Sequence, residues 1–531
     1  MTRNRIINQF GGTVAKRFAG VLICAAALSA PATNLDTIGV TLLRQVDPTL
    51  NGNGVKVAQA EGEDCCTPNS AFPWEVNPAS VGQPTSLFTW ASVSNAAATG
   101  FPNTAGTESF HADSVGGNFY GNAGFGVATN VAHVDNYEAG YFFNNKIVPS
   151  TIIPAAVVNQ SFLFNASDQT LVDPAYDNYV ASHKTIFVNG AGNGGSISTN
   201  PPATCFNGIS VGVTDGNSSY GPTSDGRSKP DLTSPGSGAT SFSTPYVSGA
   251  AAILVQAAAR NDGGASTSSM ATNPITIKAM LLNGAVKPAD WTNGPVTPLD
   301  ARYGAGIVNV FNSWKQLKGG RISSNETTTV SSGAAHPPGA SANNEPSQVG
   351  WDYTTFSTTT VQDKINHYYF NLTGSNAYTL TATLVWIRQS GKTNVNNLDL
   401  FLYNTTNSSL VLCSSSAVDN VEHLFLPQLA PGRYDLQVMK RGSGQVSTME
   451  TYALAFEFFN LIKLQVTLTN GIATLSWTTN APIGVRLATA PALNPFASWT
   501  PVGATVTTNN GQNTVSIPVT GANQFFRLQR P

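Results

Sequence analysis

GATSFSTPYVSGAAAILVQAAA, residues 238–259, decides the fold. From Pro245 onward nearly every position is small or apolar. A helix beginning near Thr244, with Pro245 in its first turn, is therefore expected to be buried almost all round. Such a helix needs partners on several sides, and the flanking sequence supplies them. GVKVAQA (54–60), NVAHVDNY (130–137), AAVVNQSF (155–162), KTIFVNGAG (184–192) and NGISVGVTD (207–215) each read as buried strands bounded by Gly, Asn or Pro. Further helices are expected near 171–182 and 273–284. Strand and helix in alternation predict an α/β fold, a parallel sheet with helices on both faces.

The front of the same string carries chemistry. Ser241 stands just before the helix, whose amides and dipole favour negative charge developing there. Ser and Thr in that place also serve as ordinary helix caps. A nucleophilic serine needs a base and an oxyanion donor, so the rest of the chain decides. Of six histidines, His111 has the suitable setting, HADSVGGNFYG followed by FGVATNVA, with Gly116 and Gly117 allowing close packing. Asn193, in IFVNGAGNGG, follows a buried strand, at the end where ligands collect in open α/β sheets. Alone, it also reads as a turn residue among glycines.

HADSVGG with GVATNVA, then GAGNGG, then GPTSDGRSKPDLTSPG leading into TSFSTPYVSG, resemble in order and character the motifs of the subtilisin-like serine peptidases. The resemblance covers about residues 54–318. It implies an acid…His…Ser order and peptide-bond hydrolysis through an acyl-enzyme. It implies Ser241 as nucleophile, His111 as general base, and Asn193 with the Ser241 backbone N–H as oxyanion donors. It also implies substrate binding at Ser161, in VVNQSFLF (157–164), and at Gly192. The acid departs from the pattern. The strand ends in Glu61 where the family has Asp, and Gly62 is expected to let the backbone withdraw for the longer side chain; Asp64 is the reserve. The segment before the serine is short, no folding propeptide is evident before Gly54, and Phe162-Leu163-Phe164 suggests a narrower or differently shaped specificity pocket. TSFSTP would also suit the sedolisin-type peptidases, but those replace the His by Glu and the Asn by Asp, and both are retained here.

The outer parts of the chain are read more coarsely. Residues 1–32 resemble an export signal, a basic start, the run FAGVLICAAALSA and an Ala30-Pro31-Ala32 cleavage site. The peptidase domain is placed at 33–320, and a linker at 321–350. A β-sandwich at 351–460 and a small β module at 461–531 follow, from regularly spaced strands such as YTLTATLVWI and GRYDLQVMK. Asp399, Asp419 and Glu422 are candidates for structural calcium, though turn carboxylates commonly accept backbone hydrogen bonds instead. No cofactor is required for catalysis. Cys65, Cys66, Cys205 and Cys413 remain after the signal, and a bridge from the Cys65/Cys66 pair to Cys205 is a guess from the even count.

The 531 residues carry 27 Lys+Arg against 29 Asp+Glu, a formal net charge of −2, so electrostatics offer no case for nucleic acid. No later run reaches the length of a membrane span. The expectation is a secreted, monomeric endopeptidase acting on proteins or peptides. A catalytically inactive protease-like binding scaffold is the alternative. An esterase is disfavoured by the lack of a G-x-S-x-G elbow.

Overall fold

The computed structural model describes residues 33–63, 73–195, 199–327, 347–356, 363–479, 485–491, 499–519 and 524–529. The expected signal (1–32), Asp64, Cys65 and Cys66 lie outside them. Seven parallel strands form the central sheet: β1 (Lys56–Glu61), β2 (Phe88–Ala91), β3 (His133–Glu138), β4 (Val157–Gln160), β5 (Ile186–Gly190), β6 (Ile209–Val213) and β7 (Leu232–Ser234). Their order is β2-β3-β1-β4-β5-β6-β7, so β1 lies inside the sheet between β3 and β4. Chains that must be parallel cross over through helices, which cover both faces, and this is why the strands are buried along most of their length. The longer helices are α1 (Phe110–Phe119), α2 (Gln169–Ser182), α3 (Thr240–Ala259), α4 (Pro274–Asn283) and α5 (Val310–Lys318).

The central helix starts earlier than its proline suggests. α3 begins at Thr240, after an extended Ala239, and Pro245 sits inside it. The expected start near Thr244 took the proline as a first-turn marker. Proline lacks an N–H, so the Ser241 carbonyl has no amide donor four residues on. The Ser161 hydroxyl donates to that carbonyl instead, at 2.9 Å. Burial then runs without a break from Ser243 to Ala258. Gly249 lies so close to the loop after α1 that a Cβ would sit 2.4 Å from that of Val127.

Downstream, a five-stranded and a four-stranded antiparallel sheet face each other across a core that includes Phe370, Leu384, Trp386, Leu400, Leu436 and Phe456. The strand Tyr378–Trp386 is buried on both faces. One face meets the opposing sheet; the other carries Val385 into the core of the peptidase-like domain, together with Val421, Ala453 and Ala455. Every residue of α4 is buried as a result, and its last residue, Asn283, accepts from the hydroxyls of Thr381 (2.9 Å) and Thr383 (3.0 Å). Within the expected linker, Asn325–Thr327 is a strand paired with Lys364–Leu372, held by Lys364 Nζ on Glu326 at 3.2 Å. The next strand starts at Val349, and 328–346 lie outside the described residues. The last segment forms two small antiparallel sheets of four and three strands.

Cys205 is a buried free thiol, which corrects the guess of a bridge at that residue. It sits beside the Asn189 amide at 3.8 Å, and burial pushes it well above the usual thiol range. Among the described residues, no helix is long and apolar enough to cross a membrane.

Candidate active site

In β1 the pleat sends alternate side chains to one face, so Val57, Gln59 and Glu61 project together. The Glu61 carboxylate is 1 % exposed at the strand's carboxyl end. On the facing helix α1, Ser109 caps the start by accepting from the Ala112 N–H, which sets His111 in the first turn. His111 Nδ1 lies 2.8 Å from Glu61 Oε2. A carboxylate can only accept, so Nδ1 carries the proton and Nε2 is the basic nitrogen on the ring's far side. The other carboxylate oxygen, Oε1, accepts from Gln59 Nε2 at 2.8 Å. Gly62 plays no special part, since its φ is not left-handed and a Cβ there would meet Phe162 only at an ordinary 3.4 Å. The longer acid fits without the backbone adjustment expected of glycine.

Ser241 occupies the first turn of α3. Its hydroxyl lies 3.4 Å from the carbonyl of Ser161, just past the end of β4. Ser161 Oγ bonds back to the Ser241 carbonyl and accepts from Asn159 Nδ2 at 3.0 Å. The imidazole of His111 lies 5.8 Å, centroid to centroid, from the ring of Phe242, the residue after the serine. Asn118 of α1 donates to the Phe242 carbonyl at 3.1 Å. The two helices are thus tied together where they carry His111 and Ser241.

Asn193 is oriented by Thr240. Its Oδ1 accepts from both the Thr240 N–H (2.8 Å) and its hydroxyl (2.9 Å), which turns Nδ2 away from the helix. Gly192, at φ +106°, needs to be glycine, because a Cβ would press on Ser219 Oγ at 2.9 Å and Leu163 Cδ1 at 3.0 Å. Of the bulky trio after Ser161, Leu163 is thus the one among the nearest neighbours of Gly192. Phe162 and Phe164 pack edge to face at 5.6 Å, and Phe164 lies 5.0 Å from Phe143, in the core below.

Each of the three calcium candidates is engaged by donors of the protein itself. Asp399 pairs with Arg441 at 2.5 Å, Asp419 accepts from the Ser228 N–H at 2.8 Å, and Glu422 is engaged by the hydroxyl of Ser414 and the N–H of Ser416. Burial pushes all three carboxyls upward. Among the described residues, no group of three His, Cys, Asp or Glu is disposed to hold a metal ion.

Sequence reasoning missed Gln59, Tyr120 and Thr240. The signal for the first was readable, since KVAQAE places one uncharged polar residue in a strand that is buried after Lys56.

Residues 93–306 match the family model described as the subtilase family. That span holds His111, Asn193 and Ser241 but not the strand with Glu61. Pyrolysin of Pyrococcus furiosus is 35 % identical over 119 residues, 19 % of this chain and 8 % of pyrolysin, so the chain spans under a tenth of that relative's length. Among solved structures, the PatG macrocyclase domain aligns at TM-score 0.40 and 16 % identity, covering 54 % of this chain and 98 % of that one. The prenylagaramide maturation protease PagA aligns at TM-score 0.36 and 18 % identity, covering 52 % and 98 %. Residues 93–306 thus correspond to the domain that the family model describes as the subtilase family.

Proposed function

We propose that this chain is an exported serine endopeptidase whose triad is Glu61, His111 and Ser241. The observation that carries the reading is the buried Glu61 carboxylate on His111 Nδ1 at 2.8 Å. It orients the ring and stabilises the imidazolium formed during the reaction. His111 Nε2 takes the Ser241 proton as Oγ attacks the scissile carbonyl carbon. The oxyanion receives hydrogen bonds from Asn193 Nδ2 and the Ser241 N–H, where one such donor is worth about 2.7–4 kcal/mol. The imidazolium then returns its proton to the leaving amine, and the C–N bond breaks. Water, deprotonated by the same imidazole, releases the acyl group from Ser241.

Extended substrate lies along Ser161 and Gly192 in this reading, with Leu163 limiting the neighbouring pocket. No cofactor enters the chemistry, and the substrates are proteins or peptides. The pattern of residues 1–32 supports export, and the chain acts as a monomer. Casein hydrolysis by the purified protein, absent in Ser241→Ala, tests the activity. Hydrolysis of short esters without casein cleavage would refute the endopeptidase.

A further inference from the structure

One polar chain behind the acid is absorbed by neither the triad nor the fold. Gln59 and Tyr120 are both 0 % exposed, and burying such groups is costly unless each polar atom is satisfied. Tyr120, at the end of α1, donates its hydroxyl proton to Gln59 Oε1 at 2.6 Å. Gln59 Nε2 donates to Glu61 Oε1 at 2.8 Å and to the carbonyl of Ala112, next to His111, at 2.9 Å. The amide has one workable orientation, because flipping it would set its oxygen against the Glu61 carboxylate and the Ala112 carbonyl. Burial, followed by the charges of Glu61 and Asp113, holds the phenol well above its usual range, so it stays a donor. Gly116 keeps the space open, since a Cβ there would lie 2.8 Å from Tyr120 Oη and 3.2 Å from Gln59 Oε1.

We propose that Gln59, aligned by Tyr120, is a positioning residue that makes a glutamate serviceable as the acid. A glutamate has one more rotatable bond than an aspartate, hence more ways to swing off the imidazole. Pinning Oε1 removes that freedom and leaves Oε2 for His111 Nδ1. The bond to Ala112 registers the same amide against the helix that carries the base. This inference rests on the proposed triad.

The test uses the full chain with Gln59→Met, which keeps length and removes both donors, and Tyr120→Phe, which removes only the aligning bond. Two readouts are taken: kcat and KM on a peptide substrate, and the NMR titration of His111 in a Ser241→Ala background, assigned with His111→Gln. Gln59→Met is expected to lower kcat by about ten- to a hundredfold with KM nearly unchanged. The His111 midpoint is expected to move to lower pH, because an imidazolium facing a misplaced carboxylate is less stabilised. Tyr120→Phe is expected to shift both the same way by less, and it decides the question should Gln59→Met fail to fold. Wild-type kcat and an unmoved His111 midpoint in folded variants would overturn the relay. If the wild type itself hydrolyses nothing, the proposed function fails, and the titration alone decides whether Gln59 holds Glu61 on His111.

Discussion

Replacing Arg388 by methionine is expected to destabilise the whole chain, although Arg388 lies in the downstream β region. Its Nη1 donates to Asp177 Oδ2 on α2 at 2.8 Å, with the two side chains 7 % and 0 % exposed. Asn207 completes the junction. It donates from its backbone to Asp177 Oδ1 at 2.8 Å and from its amide to the Arg388 carbonyl at 2.9 Å, and it accepts from the Arg388 N–H at 2.8 Å. Methionine fills most of the volume but leaves a buried carboxylate with one partner fewer. Breaking a buried pair in this way costs about 3–5 kcal/mol. Burial already pushes the Asp177 carboxyl upward, and Arg388 is the first influence opposing it. Without the guanidinium the folded-state pKa rises further above the unfolded one, so the folded variant binds the extra proton. Its stability is therefore best in acid and falls as pH rises through that window. Guanidinium denaturation followed by circular dichroism at about pH 5 and about pH 8 reads both effects. Adding Asp177→Asn should recover much of the loss. A penalty under about 1 kcal/mol at the higher pH would refute the claim that this pair holds the two regions together.

Two further outcomes follow from single carboxylates. Asp215 accepts from the N–H groups of Gly236 (3.0 Å), Ser237 (3.0 Å) and Gly238 (3.3 Å), pinning the left-handed Ser237-Gly238 turn just before Ser241, the proposed nucleophile. Asp215→Ala should lower kcat/KM about tenfold or more through misplacement of Ser241, and unchanged kinetics would count against it. Glu75 is buried, and burial pushes its carboxyl up to about 7. The stability tied to its protonated form is present below the ordinary carboxylate range and lost as pH rises through about 7. Thermal melts of Glu75→Gln across that window should show a flatter pH dependence than wild type, and parallel curves would contradict the assignment.

The inner strands were legible because a parallel sheet covered on both faces demands unbroken apolar runs, as in KTIFVNG and NGISVGV. The edge strands Phe88–Ala91 and Leu232–Ser234 escaped notice because three or four residues carry no period. Their extended form is imposed by pairing with β3 and β6. Ser241, His111 and Asn193 were singled out from local strings, since each proposed role needs particular neighbours in sequence. Gln59 stood out only as a polar residue in a buried strand, and Tyr120 not at all, because their pairing exists only once β1 and α1 are face to face. The burial of α4 was likewise invisible from its own sequence beyond apolarity. It depends on Thr381 and Thr383, about a hundred residues away, arriving to bond Asn283.

A fluorophosphonate probe followed by peptide mass mapping tests the central claim most directly. It requires the hydroxyl to be activated by the imidazole, and nothing else about the substrate. The account predicts a single stoichiometric adduct on Ser241, lost in Ser241→Ala and strongly slowed in His111→Gln. Folded wild-type protein that takes up no label, or carries it on another serine, would contradict it.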